Sequence, residues 1–123
     1  MKRSMMQVYV KGSAEAVELY RRAFDAPLVA SYPNPDGTFC HAELDVYGQI
    51  LALSEAEKNA ERVTGNTMQF CLHFGDGGEE LVLKAFEALK NGAEISYPPN
   101  PCMFSPLMFG LIDKFGVNWC VFV

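Results

Sequence analysis

The sequence predicts an α+β fold in which two βαβββ modules form a cupped, mostly antiparallel sheet. The same order of strand-like and helix-like segments occurs twice, with an offset of roughly 62 to 68 residues between the copies. A polar stretch without an apolar period separates them. The 123 residues therefore make one domain, with module one at 1–55, a linker at 56–66 and module two at 67–123.

The elements of module one follow from local patterns. A short β-prone run over 5–10 ends at a glycine and predicts the first strand. Val17, Tyr20 and Phe24 recur at i, i+3 and i+7, which predicts one apolar face of a helix, with Ser13 as its N-cap. Three further strands are predicted at 28–32, 38–46 and 49–54, separated by turn signals at 33–37 and 47–48.

Module two repeats this order. A strand is predicted at 68–74, and Val82, Phe86 and Leu89 mark the apolar face of the second helix, with Gly92 near its end. The remaining strands are predicted at 93–97, 104–112 and 117–123, with a proline-rich break at 98–101. The stretch 97–104 can be either a lid over a ligand or a rigid connection between strands.

Composition excludes several classes of partner. Half of the residues are hydrophobic, and 15 acidic against 10 basic residues give a net charge of −5, so we expect neither nucleic acid nor an anionic membrane as a partner. The N-terminal residues lead directly into a strand, without the apolar region of a signal peptide, and we expect a cytoplasmic protein. The four cysteines lack paired spacing and are expected to be reduced thiols.

Alternation along the strands predicts which side chains line the cup. Because neighbouring strand residues point to opposite faces, burying Val8 and Val10 under the helix turns Gln7 and Tyr9 to the other face. The same reasoning applies to the other strands. The predicted cup is mixed and polar, as suits a small-molecule site, and its candidate residues are Gln7, Tyr9, His41, Glu43, Ala52, Gln69, His73 and Cys120.

Four stretches of the chain resemble a known superfamily. They lie at 12–24, 41–44, 51–54 and 111–119, and the last one has the pattern Asp-x-Phe-Gly-Val-x-Trp. On these stretches the chain resembles the vicinal oxygen chelate superfamily, the glyoxalase and bleomycin-resistance fold, and within it the PhnB-like branch. The resemblance implies a cupped sheet that is often completed in a homodimer, and in many members a bound divalent metal.

The metal ligands that the resemblance implies are poorly represented here. Carried over by position, they fall on Gln7 (or Met6), Ala52, Gln69 and Cys120. Ala52 has no donor atom, and two amides with one thiol lack both carboxylate and imidazole. We therefore predict no cofactor, with a divalent metal at a rebuilt site as the alternative.

Three functions remain open from the sequence. The preferred one is a small-molecule binding or sequestering protein. The second is an enzyme of the superfamily with a relocated site, either metal-dependent or working through His41 and Glu43. The third is a partner-binding module without a small ligand. Cys71 and Cys120, expected on neighbouring strands, are either a redox pair, soft metal ligands or small buried hydrophobes.

Overall fold

Each of the two predicted modules contains one helix and four strands, in the order β-α-β-β-β. The computed structural model describes residues 1–59 and 61–123. It divides into a first unit, Met1–Arg62, and a second unit, Val63–Val123. The first unit contains β1 (Met6–Val10), α1 (Ser13–Phe24), β2 (Leu28–Pro33), β3 (Phe39–Val46) and β4 (Gln49–Glu55), and the second contains β5 (Phe70–His73), α2 (Glu79–Leu89), β6 (Glu94–Asn100), β7 (Met108–Ile112) and β8 (Asn118–Phe122).

Each unit has one open four-stranded sheet. The order is β1-β4-β3-β2 in the first unit and β5-β8-β7-β6 in the second. The pairs β1–β4 and β5–β8 are parallel, and the other pairs are antiparallel. The predicted α+β class, with two βαβββ modules and mostly antiparallel pairing, is confirmed.

In the first unit, α1 packs its apolar face on the sheet. Val17, Tyr20 and Phe24 are almost fully buried, as the spacing i, i+3 and i+7 predicted. The helix contacts β1, β3 and β4. The strand residues that are buried with it are Val8, Val10, Ala42, Leu44, Val46, Leu51 and Leu53.

The start of α1 differs from the prediction that Ser13 is its N-cap. Ser13 is the first helical residue, and Gly12, at φ 88°, is the N-cap without a side-chain cap. The carboxylate of Glu55, the last residue of β4, accepts hydrogen bonds from the backbone N–H groups of Gly12 (3.0 Å) and Ser13 (2.8 Å) and from the Ser13 hydroxyl (2.8 Å). The backbone N–H of Phe39 in turn donates to Ser13 Oγ (2.8 Å). A residue distant in sequence therefore caps the helix.

In the second unit, a buried carboxylate organises the β7–β8 turn. Asp113 Oδ1 accepts hydrogen bonds from the backbone N–H groups of Phe115 (2.8 Å) and Val117 (3.1 Å), and Oδ2 accepts one from the indole N–H of Trp119 (2.8 Å). Gly116, at φ 88°, supplies the left-handed conformation that the turn needs. The Asp-x-Phe-Gly-Val-x-Trp pattern is thus a turn tied to the buried Trp119.

The proline-rich break predicted at 98–101 is wrong in part. Strand β6 continues through Pro98 and Pro99 to Asn100, with irregular register against β7. The prolines are tolerated because β6 is an edge strand, where a missing N–H leaves no partner unpaired. The next strand, predicted from residue 104, begins at Met108.

Neither α1 nor α2, the two helices in residues 1–59 and 61–123, is long and apolar enough to cross a membrane.

Candidate functional site

The sheet face of the first unit that lies opposite α1 carries several of the predicted cup residues. Strand pairing places Gln7, Ala52 and Glu43 in one row across β1, β4 and β3. Ala52 is fully buried. The Gln7 side chain donates hydrogen bonds to Ser54 Oγ (3.2 Å) and the carbonyl of Val8 (3.1 Å). Ala52, in the middle of this row, therefore offers no metal donor, and the N–H₂ group of Gln7 is held by Ser54 and Val8.

Glu43 is the centre of a charged cluster on this face. Its side chain is only 8% exposed, and it accepts two hydrogen bonds from the Arg3 guanidinium, at 2.8 and 2.7 Å. His41 Nε2 lies 3.0 Å from Glu43 Oε1, and the His41 ring is 6.1 Å from that of Tyr32 on β2. The structure thus brings together His41 and Glu43 as the alternation predicted, and it adds Arg3, which the sequence analysis did not single out.

The electrostatics of Glu43 are set by these two partners. The hydrogen bonds from Arg3 and then from His41 lower the pKa of Glu43 from 4.5 to about 2. A carboxylate with so low a pKa is a weak base at neutral pH, since general-base catalysis favours a pKa near the working pH. Glu43 is suited to holding Arg3 and orienting the His41 ring.

We predict that Glu43→Gln lowers the free energy of unfolding of the first unit at neutral pH but has little effect on it near pH 2. The folded-state pKa lies below the unfolded value, so the stabilisation is fully present above about pH 4.5 and is lost as the pH falls through about 2. The measurement is the free energy of unfolding in urea, by circular dichroism, for the wild type and the variant across this range.

Glu57→Gln is the matched control, because Glu57 is exposed. The free energy of unfolding of this control should differ little from that of the wild type, and the difference should vary little with pH. A Glu43→Gln difference that stays constant between pH 5 and pH 2 would contradict the assignment of the low pKa to the Arg3–Glu43–His41 cluster.

In the second unit, the corresponding face carries two thiols. Cys71 on β5 and Cys120 on β8 are direct partners in the parallel pair. In the first unit, Gln7 on β1 and Ala52 on β4 are likewise direct partners in a parallel pair. Gln69, which the sequence repeat aligned with Gln7, lies before β5, where its side chain donates to Asn118 Oδ1 (3.1 Å). Gln69 thus lies one residue before β5, whereas Cys71 is the β5 residue that pairs directly with β8.

Aromatic rings continue this face towards the end of β8. The rings of His73 and Phe122 are stacked, 4.5 Å apart and 16° from parallel, and the ring of Phe104 meets Phe122 edge-on at 5.2 Å. Phe104 is 67% exposed. We call His73, Phe122 and Phe104 the aromatic row. His73 was predicted on this face. Phe104 was predicted both in the stretch 97–104 and as the start of a strand at 104–112, but it lies in the loop before β7.

The residues at the positions implied by the resemblance do not fit a divalent metal. Ala52 has no donor atom, and Gln7 and Gln69 supply amides in place of the carboxylate and imidazole ligands that divalent ions prefer. Cys120 offers a thiol, which suits soft ions better than hard divalent ones, and burial, followed by the neighbouring Cys71, raises its pKa to about 11. Within residues 1–59 and 61–123, no group of three or more His, Cys, Asp or Glu side chains is arranged to hold a metal ion.

Comparison with known families identifies the fold. The model of the glyoxalase/bleomycin resistance protein/dioxygenase superfamily matches residues 3–121. The chain belongs to this superfamily. The resemblance to vicinal oxygen chelate proteins is thereby confirmed. A comparison with curated proteins gave no significant match.

Solved structures of the superfamily superpose along nearly the whole chain. Protein PA1353 from Pseudomonas aeruginosa is 21% identical with a TM-score of 0.82, covering 99% of this chain and 97% of that one. A PhnB protein from Bacillus cereus is 23% identical with a TM-score of 0.83, covering 98% of each chain. The fosfomycin resistance protein FosX from Listeria monocytogenes, solved with Mn(II) and sulfate, is 15% identical with a TM-score of 0.68, covering 98% and 88%. At these identities the likeness establishes the fold of this superfamily member.

Proposed function

We propose that this superfamily member binds a small organic molecule without a metal and acts as a binding or sequestering protein. The observation that carries the proposal is the aromatic row, which presents exposed ring surface on the sheet face opposite α2, while the metal positions lack a competent donor set. A ligand that gains its affinity from stacking needs no metal to hold it.

The ligand class follows from the chemistry of the aromatic row. The exposed Phe104 ring is edge-on to Phe122, and the His73 ring is stacked on Phe122. Met108, the register partner of Phe122, adds a polarizable side chain. Aromatic pairs in offset or edge-on geometry contribute about 0.5 to 1.5 kcal/mol beyond the burial of their area. A planar aromatic compound is therefore the ligand that we propose.

The position of Phe104 is supported by its own loop. The Tyr97 hydroxyl donates to the carbonyl of Pro101 (2.7 Å), and the backbone N–H of Cys102 donates to the carbonyl of Ser105 (2.8 Å). The buried Ser105 hydroxyl donates to the carbonyl of Val123 (2.6 Å). These hydrogen bonds hold both ends of the loop on the sheet. Because the loop is already ordered, binding of a ligand at Phe104 costs less conformational entropy.

The test is a thermal-shift screen of planar aromatic compounds, with and without a strong chelator, on protein purified without a metal-affinity step. We expect ligands that raise the melting temperature equally in both conditions. For the best ligand, Phe104→Ala should weaken binding about tenfold by calorimetry, since loss of one aromatic contact is worth about 1.4 kcal/mol.

Tyr47→Asn is the control, because it removes an exposed ring from the β3–β4 turn at a position with φ 52°, which Asn accepts. It should leave the affinity unchanged. A stoichiometric, tightly held divalent ion in the purified protein would contradict the metal-free proposal. Turnover of any screened compound that is lost in His41→Ala would instead favour an enzyme.

The enzyme alternative is favoured by one contact, the 3.0 Å approach of His41 Nε2 to Glu43. A carboxylate can orient a histidine for proton transfer. Arg3 already balances the charge of this carboxylate, however, so Glu43 supplies orientation and little driving force. We therefore keep the binding protein as the first proposal and the enzyme as the second.

Two further parts of the proposal concern assembly and location. We propose a homodimer, supported by the exposed apolar side chains of Leu28, Val29 and Tyr32 on the edge strand β2. We propose a cytoplasmic location, supported by four cysteines that are free thiols, as is usual in a reducing compartment.

A further inference from the structure

Cys71 and Cys120 form a pair of thiols on the sheet of the second unit. They are direct register partners on the parallel strands β5 and β8, so their side chains leave the sheet on the same face. Cys71 is exposed, and Cys120 is 8% exposed. One thiol is therefore open to an incoming ion, and the other, on the neighbouring strand, is largely dehydrated.

The environment of the pair contains soft donors and few charges. The Cys71 thiol donates a long hydrogen bond (3.8 Å) to Gln69 Oε1, which orients it along the strand. Cys120 interacts with Cys71 and, more weakly, with Cys102, and both interactions raise its pKa after the larger effect of burial. The pair thus has a neighbouring third thiol.

We propose that Cys71 and Cys120 bind one soft, two-coordinate cation of the Cu(I) type. Thiolates prefer such ions over hard divalent ones. Zinc–thiolate bonds are about 2.3 Å long, and bonds of about that length in a linear site place the two sulfurs about 4.6 Å apart. This separation matches the spacing of about 4.8 Å between neighbouring strands.

The same geometry disfavours a disulfide between the two residues. A disulfide needs Cβ atoms about 3.8 Å apart, closer than the spacing of adjacent strands provides. A linear ion also needs only two ligands, so the lack of a larger metal-binding group in the described residues does not oppose it. In the binding step, each S–H bond loses its proton to solvent and each sulfur gains one bond to copper, with no change in the oxidation state of the metal.

The experiment is an anaerobic titration of the fully reduced protein with Cu(I), in competition with bicinchoninate. We expect one equivalent to bind. Cys71→Ser should lower the affinity at least 100-fold, and because Cys71 is exposed this variant should keep the fold. Cys120→Ser should do the same, with its circular dichroism checked because Cys120 is buried.

Cys40→Ser is the matched control, since Cys40 is an exposed thiol on β3 of the first unit, and it should leave the affinity unchanged. Cys102→Ser should change it less than fivefold. Unchanged affinity in Cys71→Ser would overturn the proposal, and so would an equal loss in Cys102→Ser, which would require three ligands. If dilute peroxide lowered the protein mass by that of two hydrogens through a disulfide between Cys71 and Cys120, the two thiols would instead be a redox pair.

Discussion

Asp113→Ala is expected to lower the free energy of unfolding of the second unit by about 3 kcal/mol. The substitution removes the acceptor of three hydrogen bonds and leaves the indole N–H of Trp119 buried without its 2.8 Å partner. Hydrogen bonds to charged groups contribute about 1.5 to 3 kcal/mol each, and the three are not additive. Urea unfolding followed by the fluorescence of Trp119, the one tryptophan of the chain, measures the loss directly.

Asp113→Asn separates the two parts of this network. Its amide oxygen can still accept from the backbone N–H groups of Phe115 and Val117, but its amide N–H₂ cannot accept from the indole of Trp119. We expect a loss of about 1 to 2 kcal/mol, between wild type and Asp113→Ala. An Asp113→Ala loss below about 1 kcal/mol would show that the turn forms without the carboxylate.

Glu55→Ala is expected to lower the free energy of unfolding of the first unit by about 2 kcal/mol. The variant loses the cap of α1, which is worth about 1 kcal/mol in typical helices, and it also frees the Ser13 hydroxyl that holds Phe39. Urea unfolding by far-ultraviolet circular dichroism gives the measurement.

Glu57→Ala, two residues further along and exposed, is the control and should lie within about 0.5 kcal/mol of wild type. If the two variants were equally stable, the Glu55 carboxylate would be acting as an ordinary surface charge and not as the cap of α1.

Local periodicity was sufficient to predict the elements and their faces. The spacing of Val17, Tyr20 and Phe24 identifies the buried stripe of α1, since a helix repeats every 3.6 residues. Alternation predicted that His41 and Glu43 share a face, and their 3.0 Å contact agrees with that. Such patterns are readable because they depend on residues close in sequence.

Long-range partners were not predictable in the same way. Arg3 reaches Glu43 across 40 positions, and Glu55 reaches Ser13 across 42, so no spacing in the sequence marks either contact. The pairing of Cys71 with Cys120 also depends on register, which a shift of one residue would have changed. The sequence therefore predicted the sheet faces and the neighbouring strands of Cys71 and Cys120, but not the direct register of the two thiols or the contact of Arg3 with Glu43.

The parallel pairing of the first and last strand in each unit has a consequence for the order of folding. Hairpins β2–β3 and β3–β4 pair residues that are close along the chain. Gln7 and Ala52, by contrast, are separated in sequence by most of the first unit. Closing so long a loop is slow, because its entropy is lost before any contact rewards it. We therefore expect the antiparallel strands β2, β3 and β4 to pair first and β1 to dock last. Until then β4 keeps an unpaired edge, and Ala52 has Glu43 beside it on β3 but not yet Gln7 on β1.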